Sequence, residues 1–215
     1  MRKKPVQKRS RMMVDSIIEA TGKVIAQEGL DAVTTNRVAE IAGISNGSLY
    51  QYFHDRNDLI EALLEKVSAD TMKMFSQQLR TVESQDVDVR LMSKLALTMG
   101  LAFLRSNDLY PELIRNWHRI PVHRLFDPIE QYFLNAGRAY LLQHSDRYSA
   151  KKLQTRLYVL INSTIFTMIR FLSEDNPLLK EADIVDCLAD TVALALEAET
   201  RNQDQNNSVP PPTEK

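Results

Sequence analysis

The chain has 215 residues, of which 44% are hydrophobic and 26% are charged, and its formal net charge is −1. These values are typical of a folded globular protein and exclude a polycation that binds nucleic acid along its whole length. The longest apolar run, residues 95–104, is too short to span a bilayer. The single cysteine, Cys187, rules out an internal disulfide and suits a reducing compartment. We therefore expect a cytoplasmic protein that does not enter a membrane.

The two ends of the chain differ from its middle in composition. The first 11 residues carry six basic side chains and no acidic one. Such a segment attracts a polyanion, although a solvated terminus without a partner explains the charge equally well. We expect a basic, disordered arm over residues 1–9. Residues 203–215 are polar and proline-rich, and we expect them to be disordered too.

The region after the arm predicts two helices separated by a short break. Apolar residues from Met13 to Ile25 recur at helical spacing, and Gly29 ends this first helix. Thr34 fits the N-cap position of a second helix. Gly43 ends that second helix after about two turns.

A third helix follows at once, and a fourth begins soon after it. Ser45 fits the N-cap position of the third helix, and the fourth starts near Arg56 and extends to about Leu79. Two short helices joined by a tight turn are typical of a helix-turn-helix, whose second helix enters the major groove of DNA.

The third helix combines small residues at its start with aromatic residues at its end, in the sequence NGSLYQYF. Asn46, Gly47 and Ser48 are poor helix-interior residues, but bulky side chains there would hold the backbone away from base edges. Tyr50 and Tyr52 each present a flat ring and a hydroxyl that can reach phosphate oxygens. The alternative, a loop with a packed aromatic corner, stays open on these residues alone.

The run VTTNRVAEIAGISNGSLYQYFHDRNDLIEALL, residues 33–64, resembles the DNA-binding domain of the tetracycline-repressor (TetR) family of bacterial regulators. The resemblance lies in Val-Ala-x-x-Ala-Gly-Ile-Ser, then Gly-Ser-Leu-Tyr-x-Tyr-Phe, then a basic residue and a leucine. It covers about residues 10–64, under a third of the chain. Two positions depart from the family pattern. Arg56 stands where Lys is usual, and Arg37 replaces an acid that would complete a capping box with the N-cap.

The resemblance implies a set of DNA-contacting residues. The second helix would lie near the DNA backbone, the start of the third at the bases, and the tyrosines and residue 56 at phosphates. Gln51 can pair with adenine in the major groove, although a solvated glutamine is an equal alternative, and the basic arm would follow the minor groove. The predicted contacts are Thr34, Thr35, Arg37, Ser45, Asn46, Gly47, Ser48, Tyr50, Gln51, Tyr52 and Arg56.

The rest of the chain predicts longer helices without a recognisable motif. The resemblance implies a helical ligand-binding and dimerisation domain over residues 57–202, following a DNA-binding domain over residues 10–56. The last two helices are apolar on more than one face, so they need cover from more than one partner. We expect a homodimer through these helices, although one chain could supply the cover itself. The helices are predicted at about 87–106, 109–118, 122–143, 150–173 and 181–201.

Candidates for a ligand site are apolar residues and a few polar ones on these helices. Arg170 interrupts an apolar run, where a charge needs a partner, either a ligand carboxylate or Glu174 one turn on. For each candidate a plain core position is the alternative. The apolar set favours a lipophilic or aromatic effector. The candidates are Met99, Phe103, Trp117, Tyr132, Asn162, Phe166 and Arg170.

The sequence thus predicts an all-α transcriptional repressor that binds an operator as a homodimer and is released by a small effector. An activator, or a family member that senses no small molecule, is the alternative. An enzyme is the rival class. The four histidines are dispersed, and the chain has no glycine-rich phosphate loop and no Gly-x-Ser-x-Gly motif. We therefore expect no catalytic residue, cofactor or metal site.

Overall fold

The computed structural model describes residues 8–82, 88–144, 152–174 and 176–207. Within these ranges the backbone forms helices and no strand, so the predicted all-α class is confirmed. Short 3-10 turns occupy Leu30–Ala32 and Trp117–Arg119. The α-helices are α1 (Lys8–Glu28), α2 (Thr35–Ala42), α3 (Asn46–Tyr50), α4 (Arg56–Val82), α5 (Val89–Arg105), α6 (Leu109–Arg115), α7 (His123–Gln143), α8 (Leu153–Ser173) and α9 (Glu181–Asn207).

The helices agree with the predicted spacing except near the ends of the chain. Helix α1 begins at Lys8, so the last two residues of the predicted disordered arm are helical. Helix α9 continues to Asn207, into the range predicted to be disordered. Once a helix is nucleated, each further residue adds a hydrogen bond, which explains both extensions. Residues 1–7 and 208–215 lie outside the described residues.

Local hydrogen bonds form the turn between α2 and α3. The Thr34 side chain accepts a hydrogen bond from the Arg37 backbone N–H at 3.1 Å and caps α2. Gly43 ends this helix in the left-handed conformation, with φ +67°, which glycine adopts without steric cost. The Ser45 side chain then accepts from the Ser48 N–H at 3.2 Å and caps α3. The predicted caps are therefore the observed ones.

One hydrophobic core unites α1 to α4 with part of the larger helical region. Its innermost members in this part of the chain include Ile17 and Ile25 of α1 and Phe53 between α3 and α4, each fully buried. Leu109 and Leu113 of α6 belong to the same core. Helix α6 therefore packs directly on the helix-turn-helix, across the boundary predicted at residue 57.

A second, smaller core lies among α5, α7, α8 and α9. Ion pairs join α5 to α9 along an exposed edge, where Arg90 meets Asp190 and Lys94 meets Asp186. Exposed pairs of this kind contribute little each, so the apolar packing beneath them holds the two helices together. None of the helices in the described ranges is long and apolar enough to cross a membrane.

Candidate nucleic-acid interface and ligand cavity

The start of α3 projects from the surface as a small, uncrowded tip. Asn46 and Gly47 are exposed, and a Cβ placed on Gly47 would meet nothing closer than the Ser45 Oγ at 3.8 Å. Behind this tip Leu49 and Phe53 are fully buried. The small residues thus face outward and the bulky ones anchor the helix, which is the arrangement that a groove-entering helix requires.

Two side-chain hydrogen bonds connect the exposed edges of α2 and α3. Asn46 Nδ2 donates to Asn36 Oδ1 at 2.8 Å, and the hydroxyls of Thr35 and Tyr50 lie 3.0 Å apart. Asn36 is absent from the predicted contacts. No spacing rule indicated it, because its partner lies ten residues away on another helix.

The remaining predicted residues in and beside α3 divide between surface and core. The Ser45 and Ser48 hydroxyls lie 2.9 Å apart, so each has a hydrogen-bond partner within the chain. Gln51 is exposed. Tyr52 is half-buried and packs against the first hydrophobic core. Base or phosphate contacts by these residues stay predictions.

Arg56, a predicted phosphate contact, has hydrogen-bond partners within the chain. Its Nε donates to the Val33 carbonyl at 3.1 Å, and one terminal nitrogen donates to the Leu30 carbonyl at 2.9 Å. A backbone carbonyl has two acceptor lone pairs, so the Leu30 carbonyl accepts from this guanidinium as well as from the Val33 N–H at 3.3 Å. Two of its three nitrogens are therefore committed inside the protein in this conformation.

Arg37 also has partners within the chain. Its Nε and a terminal nitrogen donate to the Glu28 carboxylate at 3.0 and 2.7 Å, and its other terminal nitrogen pairs with Glu40 at 2.7 Å. The hydrogen bond from Arg37 holds the pKa of the Glu28 carboxyl below its usual value. A phosphate would have to compete with two carboxylates for this guanidinium.

A cavity of about 350 Å³ lies inside the larger helical region. Its walls come from α4 to α9 and are almost entirely aliphatic or aromatic, and no charged side chain lines it among the described residues. The few polar groups are hydroxyls, such as those of Thr71, Ser93 and Thr164. Burial raises the pKa of the Tyr110 phenol, which also lines the cavity. A site of this size and polarity suits a small apolar molecule.

Two of the seven predicted ligand residues line this cavity, namely Phe103 and Trp117. Met99 lies on the same helix as Phe103 but is absent from the lining. Helical spacing identifies an apolar stripe, yet it does not say which part of the stripe borders empty space. The lining residues that the prediction missed are mostly small or aliphatic ones, such as Ala96 and Ile165.

The other four predicted ligand residues are absent from the cavity lining. The Tyr132 ring packs edge-on against Phe133, with centroids 5.4 Å apart. Asn162 donates to the Glu130 carboxylate at 3.0 Å. Phe166 is 53% exposed. Exposed Arg170 pairs with Glu174 one turn on, which is the second of its two predicted alternatives.

Helix α6 and the turn after it border both sites. Leu113 and Ile120 belong to the helix-turn-helix core and also line the cavity. Arg119 forms a two-pronged ion pair with Asp31, in the turn that follows α1. Its guanidinium holds the pKa of the Asp31 carboxyl below the usual value. A change in the shape of the cavity can therefore reach α1 through apolar contacts and through this ion pair.

An exposed, capped α3 beside α2, carried on a helical body with an apolar cavity, is the architecture of a helix-turn-helix protein. The family model for bacterial regulatory proteins of the tetR family matches residues 17–63. The HTH-type transcriptional regulator BetI of Ectopseudomonas mendocina is 30% identical over 149 residues, which are 64% of this chain and 74% of BetI. The chain therefore belongs to the TetR family of DNA-binding transcriptional regulators.

Further comparisons extend the likeness to other proteins. The nucleoid occlusion factor SlmA of Haemophilus ducreyi is 27% identical over 143 residues, which are 63% of this chain and 67% of SlmA. The match to SlmA of Glaesserella parasuis is 36% identical and spans 31% of this chain but only 32% of that protein. The similarity to that SlmA is thus confined to about a third of its length.

Two solved structures share the fold over most of the chain. RolR in complex with resorcinol has a TM-score of 0.61 at 17% identity, covering 95% of this chain and 97% of RolR. FadR from Bacillus subtilis in complex with stearoyl-CoA has a TM-score of 0.58 at 14% identity, covering 85% of this chain and 97% of FadR. At these identities the likeness shows the fold alone.

Proposed function

We propose that this TetR-family regulator is a repressor that binds its operator as a homodimer and is released by a small lipophilic effector. One observation carries the proposal: Leu113 and Ile120 belong to the helix-turn-helix core and also line the cavity. An effector in the cavity would press on residues that also support the DNA-binding helices. Coupling of this kind is typically about 1–3 kcal/mol.

The apolar cavity supports a lipophilic or aromatic effector. No charged side chain lines it among the described residues, so a charged ligand would lose its hydration without gaining an ion pair. RolR and FadR, which share this fold, were solved with resorcinol and stearoyl-CoA. Phe103 and Trp117 are retained as proposed effector contacts, because both line the cavity.

The exposed faces of the last two helices support a homodimer. Tyr158, Val159 and Phe166 of α8 and Leu194 of α9 are between 53% and 63% exposed. Large apolar side chains grouped on a surface favour association. A dimer would also present two α3 helices to successive turns of an operator. Because bacterial DNA lies in the cytoplasm, the proposed function implies a cytoplasmic protein.

Substitution of Leu194 by Glu tests the dimer, since it places a charge on the proposed interface. We expect light scattering after size-exclusion chromatography to show a dimer for the native chain and a monomer for Leu194→Glu. Leu91→Glu is the matched control, because Leu91 is 45% exposed on α5. A monomeric native chain would refute the dimer. A dimer that survives both Leu194→Glu and Phe166→Glu would refute this interface.

The proposed phosphate contacts are tested by binding to duplex DNA across a range of salt concentrations. Tyr50→Phe removes one hydroxyl per protomer and should weaken binding by at least roughly tenfold without changing the salt slope, since hydrogen bonds to charged groups contribute about 1.5–3 kcal/mol. Arg56→Gln separates two roles. If the guanidinium also meets a phosphate, the magnitude of the slope falls by about two, one for each protomer of the dimer. If it serves only the Leu30 and Val33 carbonyls, the slope stays and thermal stability falls.

Tyr132→Phe is the matched control for the loss of a hydroxyl, because Tyr132 lies on α7, outside the helix-turn-helix and outside the proposed dimer surface of α8 and α9. It should bind DNA as the native chain does. A native chain that binds no duplex at any salt concentration would overturn the proposed repressor.

A further inference from the structure

We propose that Asn36 is a positioning residue for base recognition: it holds the Asn46 amide so that Asn46 reads one base of the operator. The inference rests on the proposed operator binding. It concerns specificity, because both side chains are neutral and neither changes the charge that draws the protein to DNA.

The geometry that carries the inference is a single hydrogen bond between two exposed amides. Asn46 Nδ2 donates to Asn36 Oδ1 at 2.8 Å, from the first residue of α3 to the second residue of α2. Both side chains are exposed, so the bond adds little to the buried core. Its effect is to restrict the rotamer of Asn46 before any DNA arrives.

The restricted amide still has free recognition capacity. An asparagine amide offers two N–H donors and a carbonyl acceptor, so one donor and the acceptor remain after Asn36 is served. Adenine presents an acceptor and a donor side by side in the major groove, and a single amide can satisfy both. Asn46 held in this way is therefore complementary to an adenine.

The neighbouring residues support the same assignment. Gly47 leaves open space beside Asn46, since a Cβ added to this glycine would have no heavy atom closer than 3.8 Å. The hydroxyl contact between Thr35 and Tyr50 braces the far end of α3 against α2 at 3.0 Å. Preorganisation of this kind improves recognition, because the side chain need not be ordered at the moment of binding.

Two substitutions of Asn36 should have opposite effects. Asn36→Ala removes the acceptor but no charge, so binding to nonspecific DNA should stay and one base preference per half-site should fall about three- to tenfold. Asn36→Asp keeps an acceptor for Asn46, so the preference should survive. Its added negative charge should nevertheless weaken binding to every duplex. If Asn36 had only a structural role, Asn36→Ala and Asn36→Asp would change base preference and overall DNA affinity together.

The experiment starts with selection of preferred sequences from a random duplex library by the purified full chain. Competition binding then compares every single-base substitution of the selected site for the native chain, Asn36→Ala, Asn36→Asp and Asn46→Ala. Asn135→Ala is the matched control, because Asn135 is an exposed asparagine on α7. We expect Asn46→Ala to abolish the preference that Asn36→Ala weakens and Asn135→Ala to change nothing.

The outcomes distinguish this inference from the proposed function. If the native chain binds no duplex, the proposed function fails and the inference falls with it. If the native chain selects a site but Asn36→Ala keeps every base preference within about twofold, the inference fails and the function stands. Loss of the same preference in Asn36→Asp and Asn36→Ala would also overturn it.

Discussion

The helix-turn-helix and the larger helical region are packed in different ways. The large side chains with less than 2% exposure all lie between residues 17 and 68 in the described part of the chain. The larger region instead encloses a cavity of about 350 Å³, and its own core is smaller. A DNA-reading unit benefits from fixed side chains, whereas a ligand-binding unit needs space. The difference in packing therefore supports the proposed division of tasks between the two regions.

The largest expected contrast comes from removing one aromatic ring from each region. Phe53 is fully buried, so Phe53→Ala should cost about 3–5 kcal/mol of unfolding free energy. Phe126 borders the cavity, so Phe126→Ala should cost under about 2 kcal/mol, because less packing is lost there. Urea unfolding followed by circular dichroism measures both. Equal losses of unfolding free energy in Phe53→Ala and Phe126→Ala would contradict the difference in packing between the two regions.

A second test fills the empty space directly. Ala96 lines the cavity, so Ala96→Phe should weaken binding of the neutral fluorescent probe N-phenyl-1-naphthylamine by roughly tenfold, because the added ring clashes with the probe. Ala102 is exposed on the same helix, so Ala102→Phe is the matched control and should leave probe binding unchanged. If Ala96→Phe left probe binding unchanged, the cavity would not be the site where the probe binds.

The smallest expected effect concerns a charge at the edge of the helix-turn-helix. Arg37 lowers the pKa of Glu28 from its ordinary value of 4.5. Because the folded-state pKa is depressed, this pair stabilises the fold above about pH 4.5, and the stabilisation is lost as pH falls through the lower folded value. Arg37→Gln should move the Glu28 pKa upward, as measured by NMR titration of its carboxyl carbon.

Arg115→Gln is the control for this titration, because Arg115 pairs with Glu112 on its own helix. Arg115→Gln should leave the pKa of Glu28 unchanged. An unchanged Glu28 pKa in Arg37→Gln would mean that the ion pair does not persist in solution, and Arg37 would then be free to meet a phosphate.

The predictable part of the structure consists of features whose partners are close in sequence. Thr34 and Ser45 each cap a helix through an N–H three residues on, and Gly43 ends α2 through its own backbone conformation. These interactions need only one turn of chain. Spacing and residue type therefore predicted them correctly, and with them the helix-turn-helix.

Features that depend on how separate helices pack were not predictable from the sequence. Arg56 donates to carbonyls 23 and 26 residues away, and the family pattern did not indicate these partners; its phosphate contact stays a prediction. Phe166 and Arg170 belong to an apolar stretch of α8, but their side chains are exposed rather than turned into the cavity. An apolar helix with more than one apolar face does not reveal which face meets which neighbour.

The sequence by itself determined the all-α class, the positions of the helices and the small, capped tip of α3, because these depend on hydrogen bonds and residue sizes within one or two turns. Only the tertiary structure decided that α6 joins the helix-turn-helix core to the cavity, and that Asn36 contacts Asn46. These contacts arise where separate helices pack, and packing depends on the shapes of all the surfaces that meet.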